Sequence, residues 1–469
     1  MARLIVISNR VSTPKPRSGN GAQGGLAVAL GAALRESHGL WFGWSGEKTD
    51  VFTGQINLRR EEGITTATID LEEQDVDEYY NGYANKTLWP LFHYRIDLAE
   101  YDRSFGSGYE RVNERFAETV APLIEADDLV WVHDYHLLPL GQRLRQHGIR
   151  NKIGFFLHIP WPPHRLMVSM PYHQRLVRSM LAYDLIGFQT AEWLESFHHY
   201  VERELGGTVE ADGTIRVGDN RVRTAAFPIG IDVAEFEDVL GDPDAHHAYE
   251  TLRRSAEGKK VIIGVDRLDY SKGIEERFIG YRRFLEEHDQ WRGKVSLLQI
   301  APPSRDEVHT YETIRERLDE LSGRINGAFA HVDWVPIRYV NQGYMRSSLQ
   351  GFYRASDVAL ITPLRDGMNL VAKEYVAAQD PADPGVLILS RFAGAAHQLG
   401  EALLVNPYSK DEISDAIRKA LDMPKAERVR RWEKLIDNVR REDVLAWRRA
   451  FVAALEAEEV PLIARPVPA

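Results

Sequence analysis

Cysteine is absent from the 469 residues. That absence excludes disulfides, thiolate nucleophiles and cysteine-based zinc sites, and it leaves the redox compartment open. No long proline, glutamine or serine tract occurs, so disorder is confined to short ends and loops. No stretch approaches the roughly 20 apolar residues of a membrane span. The opening Met1-Ala2-Arg3-Leu4-Ile5-Val6-Ile7-Ser8 has too short an apolar run for a signal peptide, so a cytoplasmic protein is expected. An excess of positive charge is lacking as well: the formal net charge is −11, which argues against nucleic acid or a membrane surface as partner. Any anion site has to be built locally.

What is present is a 44% hydrophobic chain, long enough for a large core and more naturally two domains than one. Short β-branched runs alternate with helical patterns along most of the length, the signature of βαβ units and parallel sheets. In the first half the expected strands are Leu4–Ser8, Leu129–His133, Ile153–His158 and Leu185–Gln189. A second series comprises Val261–Val265, Val295–Ile300, His331–Val335, Val358–Thr362, Val386–Ser390 and Ala402–Val405. Two stretches break the alternation, Val51–Leu71 and Thr208–Ala226, the latter with a hairpin-like Asp212-Gly213, and they are expected as antiparallel additions. The segment Pro228–Asp232 marks a junction. The expected domains are residues 1–230 and 231–457, the second ending in helices that pack back on the first, with a tail at 458–469.

Ligands of open parallel sheets bind beyond the carboxyl ends of the strands, and candidate motifs cluster there. After the first strand come Asn9-Arg10 and a glycine loop, Gly19 to Gly25, opening a helical run from Leu26. Backbone N–H groups in such a loop can meet a phosphate or a sugar, and a plain surface loop is the alternative. Val132-His133-Asp134-Tyr135-His136 follows another strand. Its carboxylate and imidazoles suit sugar hydroxyls, and a metal is disfavoured because no third ligand is near. His158 leaves its strand into Pro160-Trp161-Pro162-Pro163, placed for a substrate or as a satisfied core histidine.

The strongest motif is Asp266-Arg267-Leu268-Asp269-Tyr270-Ser271-Lys272-Gly273. Arg267 and Lys272 at one strand-to-helix turn can converge on a diphosphate, or else pair with Asp266 or Asp269. In Thr362–Tyr375, Asp366 is expected to end a strand, with a turn through Leu370 and a helix whose free N–H groups suit a phosphate. Asp366 and Glu374 are placed to meet a sugar and ribose hydroxyls, and helix capping by Asp366 or Asn369 is the alternative.

Eight segments, in one order from residue 3 to residue 410, resemble the trehalose-6-phosphate synthases. They are Gly43–Gly46, Asp77–Asn81, Leu88–Pro90, His133–His136, Gly154–Pro160, Arg267–Gly273, Ala301–Arg305 and Thr362–Tyr375. The resemblance implies an α/β fold of two facing Rossmann-like doubly wound domains, of GT-B type, with the active site in the interdomain cleft. It implies a retaining, metal-independent glucosyltransferase that uses a nucleotide-glucose, with UDP-glucose expected over GDP or ADP forms, and glucose 6-phosphate as acceptor. The donor would be held by Gly24, Gly25, Arg267, Lys272, Tyr344, Asp366, Gly367, Met368, Asn369, Leu370, Val371 and Glu374. The acceptor would be held by Arg10, Tyr80, Trp89, Asp134 and Arg305, with both arginines on its phosphate. His158 would touch the transferred glucose, so the catalytic set is Arg267, Lys272, His158 and Asp366. No cofactor or metal is expected. The partners are the two small-molecule substrates, with self-association left open. A glycerol phosphate or cyclitol phosphate acceptor, or a non-catalytic sugar-phosphate sensor, are the competing readings.

Overall fold

The computed structural model describes residues 2–11, 34, 39–61, 64–303 and 309–457. Gly24, Gly25 and Arg305 lie outside them, as does the helix expected from Leu26. The described chain forms two compact units. One runs up to Pro228 and takes back the chain from Leu445 onward; the other is Ile229–Val444.

The first unit holds a ten-stranded sheet: β1 (Leu4–Arg10), β2 (Leu40–Thr49), β3 (Asn57–Glu61), β4 (Ile64–Glu72), β5 (Leu129–His133), β6 (Ile153–Phe156), β7 (Leu185–Phe188), β8 (Thr208–Val209), β9 (Ile215–Val217) and β10 (Asn220–Ala226). Its order is β3-β4-β2-β1-β5-β6-β7-β10-β9-β8. The middle portion β4-β2-β1-β5-β6-β7 is the doubly wound 3-2-1-4-5-6 arrangement, with its switch point between β1 and β5. These central strands read as apolar runs because both of their faces are covered; every residue of β5 is buried.

Sequence reading missed β2, whose Leu-Trp-Phe-Gly-Trp-Ser-Gly carries two glycines inside a strand. It also took Val51–Leu71 as antiparallel throughout. In fact β4 pairs parallel with β2, and only β3 runs antiparallel to it. In Thr208–Ala226 the antiparallel pairs β8–β9 and β9–β10 do form, and Gly213 takes the left-handed φ of 85° at the first turn. Strand β10 then joins the parallel core beside β7.

Two helices position the chemistry of this unit. The first, α1 (Val76–Leu88), is π-helical along 13 residues, and the Trp89 N–H at its end bonds the Ala84 carbonyl, five residues back. Long π segments are uncommon and gather at functional sites. The fully buried Asp75 pins its start. Asp75 is held by Arg115 and by Arg111 Nε at 2.8 Å, both from α2 (Arg103–Val120). The C-terminal helix Val444–Glu456 belongs to this unit rather than to the second domain as bounded at 457. Phe451 stacks on Trp131 at 4.4 Å and Trp447 lies 4.9 Å from the same ring. Gly154 and Gly187 leave the room that Phe451 fills. Arg223 closes the helix by donating to the Ala454 and Ala457 carbonyls at 2.7 Å each, where a cation complements the helix dipole.

The second unit holds six parallel strands: β11 (Lys260–Val265), β12 (Val295–Ile300), β13 (Ile337–Val340), β14 (Val358–Ile361), β15 (Val386–Ser390) and β16 (Leu403–Val405). Their order, β13-β12-β11-β14-β15-β16, is again 3-2-1-4-5-6, with the switch point between β11 and β14. The strand expected at His331–Val335 is a turn closed by a single bridge, His331 to Trp334, and β13 begins at Ile337. The apolar signal there came from Trp334, an anchor whose indole donates to the Val295 carbonyl at 2.9 Å, while Val332 is fully exposed. Four helices matter below: α3 (Ile274–Glu287), α4 (Arg346–Ala355), α5 (Leu370–Ala378) and α6 (Lys425–Arg441).

Candidate active site

In each unit the chemistry-bearing residues gather at the strand ends beside the switch point. In the first unit, Arg10 ends β1 and its guanidinium lies 5.6 Å over the Trp44 ring, a cation–π distance. Gly46 makes this possible. A Cβ there would fall 2.1 Å from the guanidinium, and its φ of 93° suits glycine. Trp44 meets Tyr80 of α1 at 5.6 Å; Tyr80 stacks on His136 at 5.9 Å and 12°; His136 lies against Tyr135 at 3.9 Å, and Tyr135 against Trp89 at 5.6 Å. Arg10, Tyr80 and Trp89 are thus joined by one run of rings. Trp89 is buried and forms the wall behind Tyr135, while Arg10 is exposed.

Asp134 follows β5 with φ 74° and ψ 167°, a region that is costly for any residue but glycine and is retained mainly at functional positions. Its carboxylate accepts the His158 backbone N–H at 3.3 Å. The imidazole of His158 lies 3.0 Å from His133 Nδ1 through its Nε2, and 3.5 Å from Gln189 through its Nδ1. Burial pushes His158 down to about 3. It holds His133 well below the usual imidazole value too, aided by repulsion from His158. Both rings are neutral at pH 7, able to exchange hydrogen bonds with hydroxyls without adding charge.

In the second unit, β11 leads into the loop Asp266–Gly273. Gly273 takes φ 61° and begins α3 where a Cβ would lie 2.1 Å from the Thr362 carbonyl, so the loop packs directly on the end of β14. Beneath it lies Arg277 of α3, fully buried. Its Nη1 donates to Asp266 and to Gln299 at 2.7 Å each, and its Nε donates to Thr362 at 3.1 Å. Asp266 is therefore spent on Arg277. Lys272 reaches across instead to Asp366, at 2.6 Å. Arg267 is exposed.

Asp366 does not end a strand. Strand β14 stops at Ile361, and Asp366 sits further along the loop, bridged to Ala393, where Gly394 packs on the Gly367 carbonyl. Gly367 and Met368 are buried in that contact. Asn369, with φ 81°, is the helix cap: its Oδ1 accepts from Ala372 N at 3.0 Å, and its Nδ2 donates to Asp366 at 3.1 Å. Leu370, Val371 and Glu374 follow on α5. Burial pushes the Glu374 carboxyl up, opposed by Arg346 of α4 at 3.4 Å. Arg346 is also held by Glu235 at 2.6 Å. Tyr344, just before α4, sets its ring edge-on to Phe352 at 5.0 Å.

The structure thus joins Arg10, Tyr80 and Trp89 through rings, Asp134 with His158, and Lys272 with Asp366 and Asn369, while Gly24, Gly25 and Arg305 are not among the described residues. Sequence reading missed Arg277 and Arg346. The acidic partners of each lie remote in the chain, and an arginine on an amphipathic helix carries no local sign of the carboxylate it will meet.

Two Rossmann-like units, each with charged and polar side chains beside its switch point, are the architecture of the glycosyltransferases of GT-B type. The model of glycosyltransferase family 20 matches residues 2–457. The chain is 47% identical over 459 residues to the trehalose-6-phosphate synthase of Sinorhizobium fredii (strain NBRC 101917 / NGR234), covering 97% of this chain and 99% of that one. Among solved structures, the alpha,alpha-trehalose-phosphate synthase (UDP-forming) of Burkholderia vietnamiensis matches with a TM-score of 0.94 at 48% identity, covering 97% of both chains. The UDP-forming synthase of Burkholderia xenovorans in complex with glucose-6-phosphate matches with 0.93 at 47%, covering 97% of this chain and all of the other. The chain belongs to glycosyltransferase family 20 and is a glycosyl-transferring enzyme.

Proposed function

We propose that the protein transfers glucose from UDP-glucose to glucose 6-phosphate with retained configuration, releasing UDP and α,α-trehalose 6-phosphate. The observation that carries this reading is Lys272 held on Asp366 with Asn369 beside it, at the switch point of the second unit. A cation is poised there where a diphosphate would depart, and a carboxylate where a sugar would bind. Both solved relatives named above are UDP-forming, and one of them holds glucose-6-phosphate.

In this reading Gly24, Gly25, Tyr344 and the run Gly367 to Val371 take the nucleotide and its phosphates, Glu374 takes the ribose hydroxyls, and Asp366 and His158 take the transferred glucose. Arg10 and Arg305 take the acceptor phosphate, while Tyr80, Trp89 and Asp134 shape its sugar pocket. The bond from the anomeric carbon to the β-phosphate oxygen breaks. The acceptor's anomeric hydroxyl forms the new bond on the same face, and its proton passes to the departing phosphate oxygen. Arg267 and Lys272 stabilise the charge that develops there, so neither a protein nucleophile nor a metal ion is required. A neutral His158 adds hydrogen bonds without a competing charge.

The test is one assay matrix, UDP-, GDP- and ADP-glucose against glucose 6-phosphate, glucose, glycerol 3-phosphate and a cyclitol phosphate, read by released nucleotide and product mass. Turnover confined to UDP-glucose with glucose 6-phosphate, giving an α,α-linked product, is expected. Faster transfer to another acceptor would replace the acceptor assignment, and no transfer at all would favour a sensor.

A further inference from the structure

Lys373 is a residue of α5 that the proposed transfer leaves unused. It stands one position before Glu374, is 1% exposed, and donates from Nζ to the Ile229 carbonyl at 2.6 Å. Burying an ammonium is expensive unless it is well bonded, so such a lysine calls for a reason. Ile229 supplies one. The chain passes out of the first unit between Pro228 and Ile229 and returns to it between Val444 and Leu445. Inside the second unit these two ends are stitched together: Val444 N donates to the Ile231 carbonyl at 3.1 Å. Gly230 packs so closely that a Cβ would lie 2.2 Å from the Glu442 carbonyl. The Glu442 side chain, at the end of α6, is engaged by Gln398 and is the charge that attracts Lys373.

The other contacts of α5 point to the donor residues. Asn369 caps its first turn and bonds Asp366, which holds Lys272. Glu374 is paired with Arg346. One nine-residue helix therefore connects the Lys272–Asp366 pair with both points at which the chain leaves the second unit.

We propose that Lys373 is a positioning residue for the transfer: by fixing the Ile229 carbonyl it locks α5, with Asn369 and Glu374, to the paired chain crossings, so that a donor once bound is held in register for the transfer. The proposal rests on reading α5 as a donor-binding helix. Burial lowers Lys373 to about 7, so the charge that Glu442 attracts is lost as pH rises through neutrality, while the N–H donor to Ile229 remains.

The test compares the full-length wild type with Lys373→Met, Lys373→Gln and Gly230→Ala, measuring kcat for UDP release and UDP affinity by calorimetry. Lys373→Met puts an apolar group of similar length in place of the buried ammonium and leaves the Ile229 carbonyl without this donor, so folding is checked first by circular dichroism and thermal unfolding. Its UDP affinity should match the wild type while kcat falls roughly ten- to a hundredfold, the cost of slight misplacement from a distance. Lys373→Gln, which keeps an N–H donor, should recover part of the loss. The kcat–pH profile of Lys373→Met should lose an inflection near 7 that the wild type shows. Wild-type kcat in folded Lys373→Met would overturn the proposal. So would equal losses of kcat and UDP affinity, which would make Lys373 a prop for α5 alone. Should Lys373→Met not fold, Gly230→Ala decides, because it forces the crossings apart without changing any residue of α5: kcat must fall with UDP affinity kept, and an unchanged kcat overturns the proposal. A wild type that binds no UDP would instead remove the donor reading beneath it.

Discussion

Lys272 and Asp366 hold each other at 2.6 Å with about 14% of each side chain exposed, so the cation is aimed before any diphosphate arrives. Removing one such preorganised charge lowers turnover by roughly 100-fold or more. Lys272→Ala should therefore lose kcat on that scale with a smaller change in donor affinity, read by steady-state kinetics; a near-normal kcat would make the pair structural. The two neutral histidines give a pH signature. His158 has its folded pKa, about 3, below the unfolded 6.5, so as pH falls through that window the unfolded chain takes up protons that the folded one refuses. His133 is shifted in the same direction. Stability from these rings is complete above about 6.5 and is lost progressively below it. Urea titrations at pH 7.5 and 5 should show the loss, and His158→Gln should show a shallower dependence. These residues were legible because each follows a strand. Arg277 and Arg346 were not, because the carboxylates they tie lie 11 residues or more away along the chain, as with Asp266.

At the scale of elements, most strands announced themselves as β-branched runs, and β5, β12 and β15 match their expected bounds. The failures share a cause: one residue's packing overrode the local pattern. Trp334 made a turn look like a strand, and the glycines of β2, Gly43 packed on the Ser8 carbonyl and Gly46 giving Arg10 its room, made a strand look like a loop. The π-helical path of α1 was illegible, since its apolar positions follow no 3.6-residue period. The C-terminal helix was expected as a helix, and what fixes its place is Phe451, wholly buried against Trp131, Phe156 and Phe227. Phe451→Ala should therefore destabilise the first unit by about 3–5 kcal/mol, the cost of emptying a core aromatic site. Denaturant unfolding measures it. A change below about 1 kcal/mol would mean that Gly154 and Gly187 do not make a site specific to that ring.

Across the whole molecule, both units use the same strand order and both place polar side chains beside its switch point, so one topological rule locates the candidate residues of each unit. The chain carries 69 acidic against 58 basic residues, a surplus that repels the phosphorylated substrates of the proposed reaction. Cations concentrated at a single strand exit must overcome that field and also neutralise the departing diphosphate. A divalent ion is the other way to supply this charge, and it needs carboxylates left over to hold it. Here the acidic side chains of the two donor segments are already committed: Asp266 to Arg277, Asp269 to the Ser271 N–H, Asp366 to Lys272, and Glu374 to Arg346. Turnover should accordingly persist in excess EDTA, with no stimulation by added magnesium or manganese. Loss of most wild-type activity on chelation, restored by a divalent cation, would assign the leaving-group charge to a metal and return Arg267 and Lys272 to a supporting role.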